Sequence, residues 1–175
     1  MELTAADILG PEGRIAARLP NYEHRTQQLE MADAVARAIA AKRHLIAEAG
    51  TGVGKSFAYL VPALLLGGKV IISTGTKTLQ DQLFRRDIPN VRAALKIPVT
   101  IALLKGRANY ICHYHLEKSL QGDRISFATR EDIRHLQSIE RYARVSQTGD
   151  KSELSEIPEN ASIWQMVTST RDNCL

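Results

Sequence analysis

The stretch EAGTGVGKSFAYLVPALL, residues 48–65, sets small residues ahead of a lysine, a serine and an apolar run. That order suits polyphosphate chemistry. Backbone N–H donors must converge on an anion's oxygens, and only small residues let the main chain curl that tightly. Gly50, Gly52 and Gly54 supply the freedom, with Ala49, Thr51 and Val53 interleaved. Lys55 has the reach for β and γ phosphates, and the Ser56 hydroxyl can ligate Mg²⁺. A helix beginning there adds free N–H groups and a positive dipole end. Position 49 is Ala where the general G-x-x-x-x-G-K-[ST] (Walker A) pattern has Gly; alanine serves if that residue need not adopt positive φ. A glycine-rich turn with a chance GKS is the bland alternative, opposed by the strand before and the helix after. The loop points to ATP-type ligands and is silent about what their energy drives.

Upstream, Arg25 and Gln28 lie three apart in YEHRTQQLEMADAV, close enough at a helix start to meet one ligand. A glutamine amide offers both donor and acceptor, matching the N6/N7 edge of adenine. A plain polar helix start is the other reading.

The elements that must position these residues alternate. The first twenty residues carry turn formers (Gly10, Pro11, Gly13, Pro20) and read as a loose lead-in. Residues 27–41 read as a helix with a Met31–Val35–Ile39 stripe. HLIAEA (44–49), KVIIST (69–74) and VTIALL (99–104) read as buried strands. Between them come a helix from Lys55 to about Leu66, bent at Pro62, and a helix opened by Thr78 with Asp81 that stops before Pro89. Continuous apolar strands alternating with helices predict an α/β fold, a parallel sheet flanked by helices, over residues 1–110. Beyond Tyr110 the character changes. Thr129 and Asp132 predict a helix carrying Ile133, Leu136 and Ile139, a polar loop spans 147–160, and SIWQMV (162–167) is a further apolar element. Residues 111–175 read as a mainly helical insertion or subdomain.

Charge is uneven. Residues 67–110 hold eight basic against two acidic side chains in a chain of net charge +4, the footprint of a polyanion site or a solvated basic surface. The N-terminus MELTAADILG lacks a secretory pattern and no apolar run is long enough for a bilayer, so the expected location is cytoplasmic. Cys112 and Cys174, the two cysteines, are then reduced thiols that pack or ligate a metal rather than a disulfide. Zinc held by Cys112, His113, His115 and Cys174 is an alternative weakened by the adjacency of 112 and 113.

Five collinear blocks make the whole resemble a known family: R-x-x-Q-x-x-M at Arg25, Gln28 and Met31, EAGTGVGKS, VIISTGTKTLQDQL (70–83), LLKGRANYIC (103–112) and WQMVTSTRDNCL (164–175). Together they resemble the first, RecA-like motor domain of XPD/Rad3-type superfamily 2 helicases, in the bacterial DinG-like branch on its YoaA side. The resemblance implies a 5′-to-3′ ATP-dependent DNA helicase acting in repair or replication. It implies adenine recognition by Gln28 with Arg25 nearby, and phosphate and Mg²⁺ roles for Gly52, Gly54, Lys55 and Ser56. Ser73, Thr74, Thr76 and Gln80 would touch single-stranded DNA, although alone Thr76 and Thr78 read as helix caps. Lys105 and Arg107 would hold its backbone, a solvated pair being the alternative. The family's insertion holds a [4Fe–4S] cluster by four cysteines, here matched only by Cys112 and Cys174, so the cluster belongs to a longer parent. A replicative polymerase accessory subunit, chi, is an implied partner that no residue displays.

A D-E-x-H block and a second motor domain, with its arginine finger, are missing from these residues. The expectation is therefore an N-terminal piece of a longer helicase that binds ATP without turning it over. The competing classes are a P-loop phosphotransferase or switch, which needs an acceptor site and a complete Mg²⁺ site, and a DNA- or protein-binding module that never hydrolyses ATP.

Overall fold

Thr4 and Asp7 start the first helix. In the computed structural model, which describes residues 3–122 and 129–174, the Asp7 N–H donates to Thr4 Oγ1 and the Thr4 N–H donates to Asp7 Oδ2. This reciprocal cap opens α1, Ala5–Leu9. Ile8, Leu9 and Ile15 are fully buried, so the expected loose lead-in is core instead. A five-residue helix shows too little periodicity to be seen among turn formers. Gly10 closes it in an extended conformation (ψ 171°), where a Cβ would meet the Ala6 carbonyl oxygen at 2.5 Å, so glycine is the residue that fits.

The chain divides into two units, Met1–Leu103 and Leu104–Leu175. In the first, α2 (Thr26–Ala40) packs on α3 (Lys55–Leu65) and on α1. The expected Met31–Val35–Ile39 stripe is only partly buried: Met31 packs against the core and Val35 is half-buried, Ile39 is 42% exposed, and the buried positions are Gln28 and Ala32. Helix α3 buries Ala58, Leu60, Val61 and Pro62, keeping Pro62 inside despite its missing N–H. Thr76, rather than Thr78, caps α4 (Lys77–Gln82), its Oγ1 accepting from the Leu79 N–H at 3.2 Å. Nor does helix stop before Pro89. A π-helical turn, Leu83–Asp87, runs directly into α5 (Ile88–Leu95), with Pro89 in its first turn. The helix is continuous there, and the wide turn before Pro89 eases the crowding of its ring.

The expected sheet does not form among the described residues. The 44–49, 69–74 and 99–104 segments carry no ladder, and the described pairings are two isolated antiparallel bridges, Tyr110–Asp150 and Ile111–Thr168. Ile46 is 98% and Ile71 95% exposed. An apolar run biases a segment locally, but a ladder needs a second segment in register, which periodicity does not specify.

The second unit begins just before the change of character at Tyr110, because Lys105 already belongs to it. The Lys105 N–H donates to Tyr110 Oη at 2.8 Å, and Lys105 Nζ pairs with Asp150 Oδ2 at 2.8 Å. Helices α6 (His113–Gln121), α7 (Arg130–Val145) and α8 (Ile163–Val167) enclose Leu116, Leu136, Ile139, Trp164 and Val167. Thr129 caps α7, as the Thr129–Asp132 spacing predicts, and Ser162 Oγ donates to Asp132 Oδ1 at 2.8 Å, tying α7 to the start of α8. The stretch read as a polar loop carries buried Leu154 and Ile157.

Two consequences are measurable. Leu9→Ala should destabilise the first unit by about 2–5 kcal/mol, read by urea unfolding followed with circular dichroism. In the second, hydrogen bonds from Ser162 and then Thr129 hold the Asp132 carboxyl below its ordinary value. Burial pushes Asp150 up, but the hydrogen bonds from Lys105 and Ser152 outweigh it and leave its pKa lowered. Both carboxylates therefore stabilise the unit above about pH 4, and the contribution fades as pH falls through the depressed folded values. Trp164, the single tryptophan, reports on this unit. Asp150→Asn should lower its neutral-pH stability by about 3 kcal/mol and flatten the acid limb of its fluorescence-monitored urea midpoint.

Candidate functional site

Gly52 and Gly54 both adopt φ of +84°, the left-handed region that favours glycine. The loop they shape delivers Lys55 as the first residue of α3. Its ammonium is folded onto the loop, donating to the Ala49 carbonyl at 2.8 Å and to the Gly50 carbonyl at 2.7 Å. An incoming phosphate oxygen can replace those carbonyls with a charge-assisted bond. The first-turn N–H groups of α3 face the same end. Burial raises the Tyr59 pKa; a hydrogen bond with Ser56 lowers it, and the Asp87 charge raises it further. Loop, lysine, hydroxyl and helix end form a donor set that fits a Mg²⁺-bound polyphosphate.

Gln28 forms the second wall. Its Nε2 donates to the Gly54 carbonyl at 3.0 Å, and Tyr22 Oη lies 2.7 Å from its Oε1. A Cβ at position 54 would sit 2.0 Å from that Nε2. Glycine is thus demanded there twice, by φ and by the amide. A Cβ at Gly52 would come 3.8 Å from Arg25 Nη1, and the Arg25 guanidinium pairs with Glu23 at 3.0 Å. Gln28, Arg25, Val53 and Gly54 line a cavity of about 560 Å³ with Tyr22 and Asp87. Of the glycine-rich loop, Val53 and Gly54 line this cavity beside Gln28 and Arg25, while Lys55 and Ser56 are not among its lining residues.

Sequence reasoning missed Tyr22, His24 and Asp87. Asp87 is buried, accepting from Gln82 Nε2 at 2.8 Å and Arg86 Nε at 2.9 Å. Tyr22 belongs to no recognised pattern, and only the fold brings Leu9 beneath it. The one available signal was an aromatic just ahead of the Arg25–Gln28 pair.

The remaining expected residues fare differently. Thr74 Oγ1 donates to the Thr76 carbonyl at 3.2 Å, while the Thr76 hydroxyl oxygen is engaged as a cap; Ser73 and Gln80 flank them. Lys105 is a correction. Its side chain is 3% exposed and turned onto Asp150, so no ammonium projects for DNA, whereas Arg107 is exposed. The two cysteine-bearing segments lie side by side: the Cys112 N–H donates to the Val167 carbonyl at 2.8 Å, and His115 Nε2 lies 3.1 Å from the Asn173 carbonyl oxygen. Among the described residues no three His, Cys, Asp or Glu side chains gather as a metal-binding group. Two cysteines do not fit a cluster that needs four thiolates. No helix among the described residues is long and apolar enough to cross a membrane.

Comparison with known proteins adds a family. The DEAD/DEAH box helicase family matches residues 28–153. The chain is 44% identical over 171 residues to the ATP-dependent DNA helicase YoaA of Haemophilus influenzae and 45% over 170 to that of Escherichia coli. In both cases 97% of this chain and 26% of the relative are covered. It is 32% identical over 168 residues to the 3′-5′ exonuclease DinG of Bacillus subtilis, 94% of this chain and 18% of that protein. The chain thus spans 26% of the length of the YoaA relatives.

The glycine geometry is open to test. Gly54→Ala should weaken binding of a fluorescent triphosphate by about tenfold or more, since strained φ and a displaced Gln28 act together. Gly50→Ala, with nothing within 4 Å of the added Cβ, should change it far less.

Proposed function

The chain belongs to the DEAD/DEAH box helicase family, and from that premise we propose that it is the nucleotide-binding part of an ATP-dependent DNA helicase of the XPD/DinG type. The observation that carries this reading is the contact of Gln28 with Gly54, which joins a base pocket to a phosphate loop. ATP enters with its adenine against Gln28 and Arg25 and its triphosphate along residues 49–56. Lys55, now on the Ala49 and Gly50 carbonyls, would bind the β and γ phosphates, and Ser56 Oγ would hold Mg²⁺. When bound, Mg²⁺ neutralises charge on the phosphate oxygens. The parent fold is a RecA-like motor domain whose parallel sheet recruits the 44–49, 69–74 and 99–104 segments.

Single-stranded DNA runs past Ser73, Thr74, Thr76 and Gln80. A capping threonine accepts with its oxygen and keeps its proton for a phosphate, so the cap and DNA roles of Thr76 coexist. Arg107 adds an exposed cation. Hydrolysis and 5′-to-3′ translocation are activities of a longer polypeptide that also supplies a D-E-x-H block and a second motor domain. Cys112 and Cys174 alone do not make a [4Fe–4S] site; in such a polypeptide they would supply two of the four thiolates. Such an enzyme works on cytoplasmic DNA in repair or replication, with the chi subunit as a candidate partner.

The direct test uses the longer polypeptide: ATP hydrolysis measured with and without single-stranded DNA. Stimulation by DNA that disappears in Lys55→Ala is expected; turnover indifferent to DNA would overturn the reading. Oligonucleotide binding should weaken steeply as salt rises, because each phosphate contact releases counterions.

A further inference from the structure

The hydrogen bonds around Gln28 can be counted proton by proton. A phenol has one proton, and two acceptors compete for that of Tyr22: Gln28 Oε1 and the Leu9 carbonyl oxygen, each 2.7 Å away. His24 Nδ1 lies 3.1 Å from the same Leu9 oxygen and satisfies it when that nitrogen carries the hydrogen. The Tyr22 proton is then released to Gln28. On the other side of the amide, Nε2 donates to the Gly54 carbonyl. Turned over, the amide would set its oxygen against the Gly54 oxygen with no proton between them, a contact that low-dielectric surroundings penalise. Only one orientation satisfies both neighbours. It leaves Gln28 one free N–H and one free lone pair.

We infer that Tyr22 is the positioning residue for base recognition: by donating to Gln28 Oε1 it holds the amide so that a 6-aminopurine is accepted and a 6-oxopurine refused. The inference rests on the reading of Gln28 as the adenine-recognising residue. A 6-aminopurine presents a donor and an acceptor on its N6/N7 edge, complementary to what Gln28 has left. A 6-oxopurine presents two acceptors there, and the fixed amide meets one of them with its own oxygen. Tyr22 touches the cavity, and burial raises its pKa against the opposing charge of Arg25, so it remains a protonated donor at neutral pH. Tyr22→Phe removes this proton and keeps the ring that packs against the core.

The experiment measures competition of ATP, inosine triphosphate and inorganic tripolyphosphate against a fluorescent ATP analogue, on the chain and on Tyr22→Phe and Gln28→Ala. The chain should prefer ATP to inosine triphosphate. Tyr22→Phe should cut that preference about fivefold, the worth of one neutral hydrogen bond, with tripolyphosphate affinity held within about twofold. Gln28→Ala should abolish the preference. If Gln28→Ala removes the preference and Tyr22→Phe leaves it intact, the inference fails while the parent reading stands. If the unaltered chain shows no preference for Gln28→Ala to remove, the adenine reading itself falls. A Tyr22→Phe protein that loses tripolyphosphate and both nucleotides alike assigns Tyr22 to the architecture and overturns the inference.

Discussion

The first unit turns on an amide meeting a carbonyl across a residue with no side chain. Gln28 Nε2 reaches the Gly54 oxygen because position 54 lacks a Cβ, which would otherwise stand 2.0 Å from that nitrogen. The same glycine takes φ of +84° and so turns the loop into α3 with Lys55 at its head. One backbone position therefore serves two purposes. It turns the loop into α3, and it lets the Gln28 amide of α2 reach the loop's backbone. Burying Gln28 on α2 costs desolvation that its hydrogen bonds offset. A polar side chain can hold a core position there because its partners are built in.

Those partners are supplied from the N-terminus. The Thr4–Asp7 cap sets α1, α1 places the Leu9 carbonyl, and Leu9 receives Tyr22 and His24. Ile8, Leu9 and Ile15 anchor that segment by complete burial. A short helix that looks dispensable in the sequence is therefore the support for the Tyr22–Gln28 side of the cavity. Farther along, Arg14 Nη1 donates to the Ala94 and Leu95 carbonyls at 3.3 Å each, capping α5 at the end where a cation is favoured. That contact ties the lead-in to the helix that follows Asp87 on the far wall of the pocket.

The second unit has a different organiser, the buried pair of Lys105 with Asp150. A lysine that sequence context reads as a DNA contact is committed inward, and Ser152 Oγ, 3.2 Å from its ammonium, completes the arrangement. Losing either partner would strand a charge out of water, which gives the pair its hold on the local chain path. The bridge from Ile111 to Thr168 and the Cys112–Val167 hydrogen bond then bring the two cysteine segments together, although they are far apart in sequence.

Where chemistry depends on residue type and close spacing, the amino-acid sequence alone was decisive. It determined the glycine-rich loop with Lys55 and Ser56 at the head of α3 and the Thr129–Asp132 cap of α7, because capping and φ preference are properties of a few neighbouring residues. Tertiary structure decided the rest: that α1 is core, that α2 buries Gln28 and Ala32 more deeply than the Met31 stripe, that Thr76 caps α4, that Lys105 faces Asp150, and that Tyr22 donates to Gln28. It also left the three apolar runs without a ladder among the described residues. Each of these depends on which distant group arrives to accept a proton, a charge or an apolar surface. The cost of burying a side chain is met by partners far away in the chain, and no local pattern encodes where they lie.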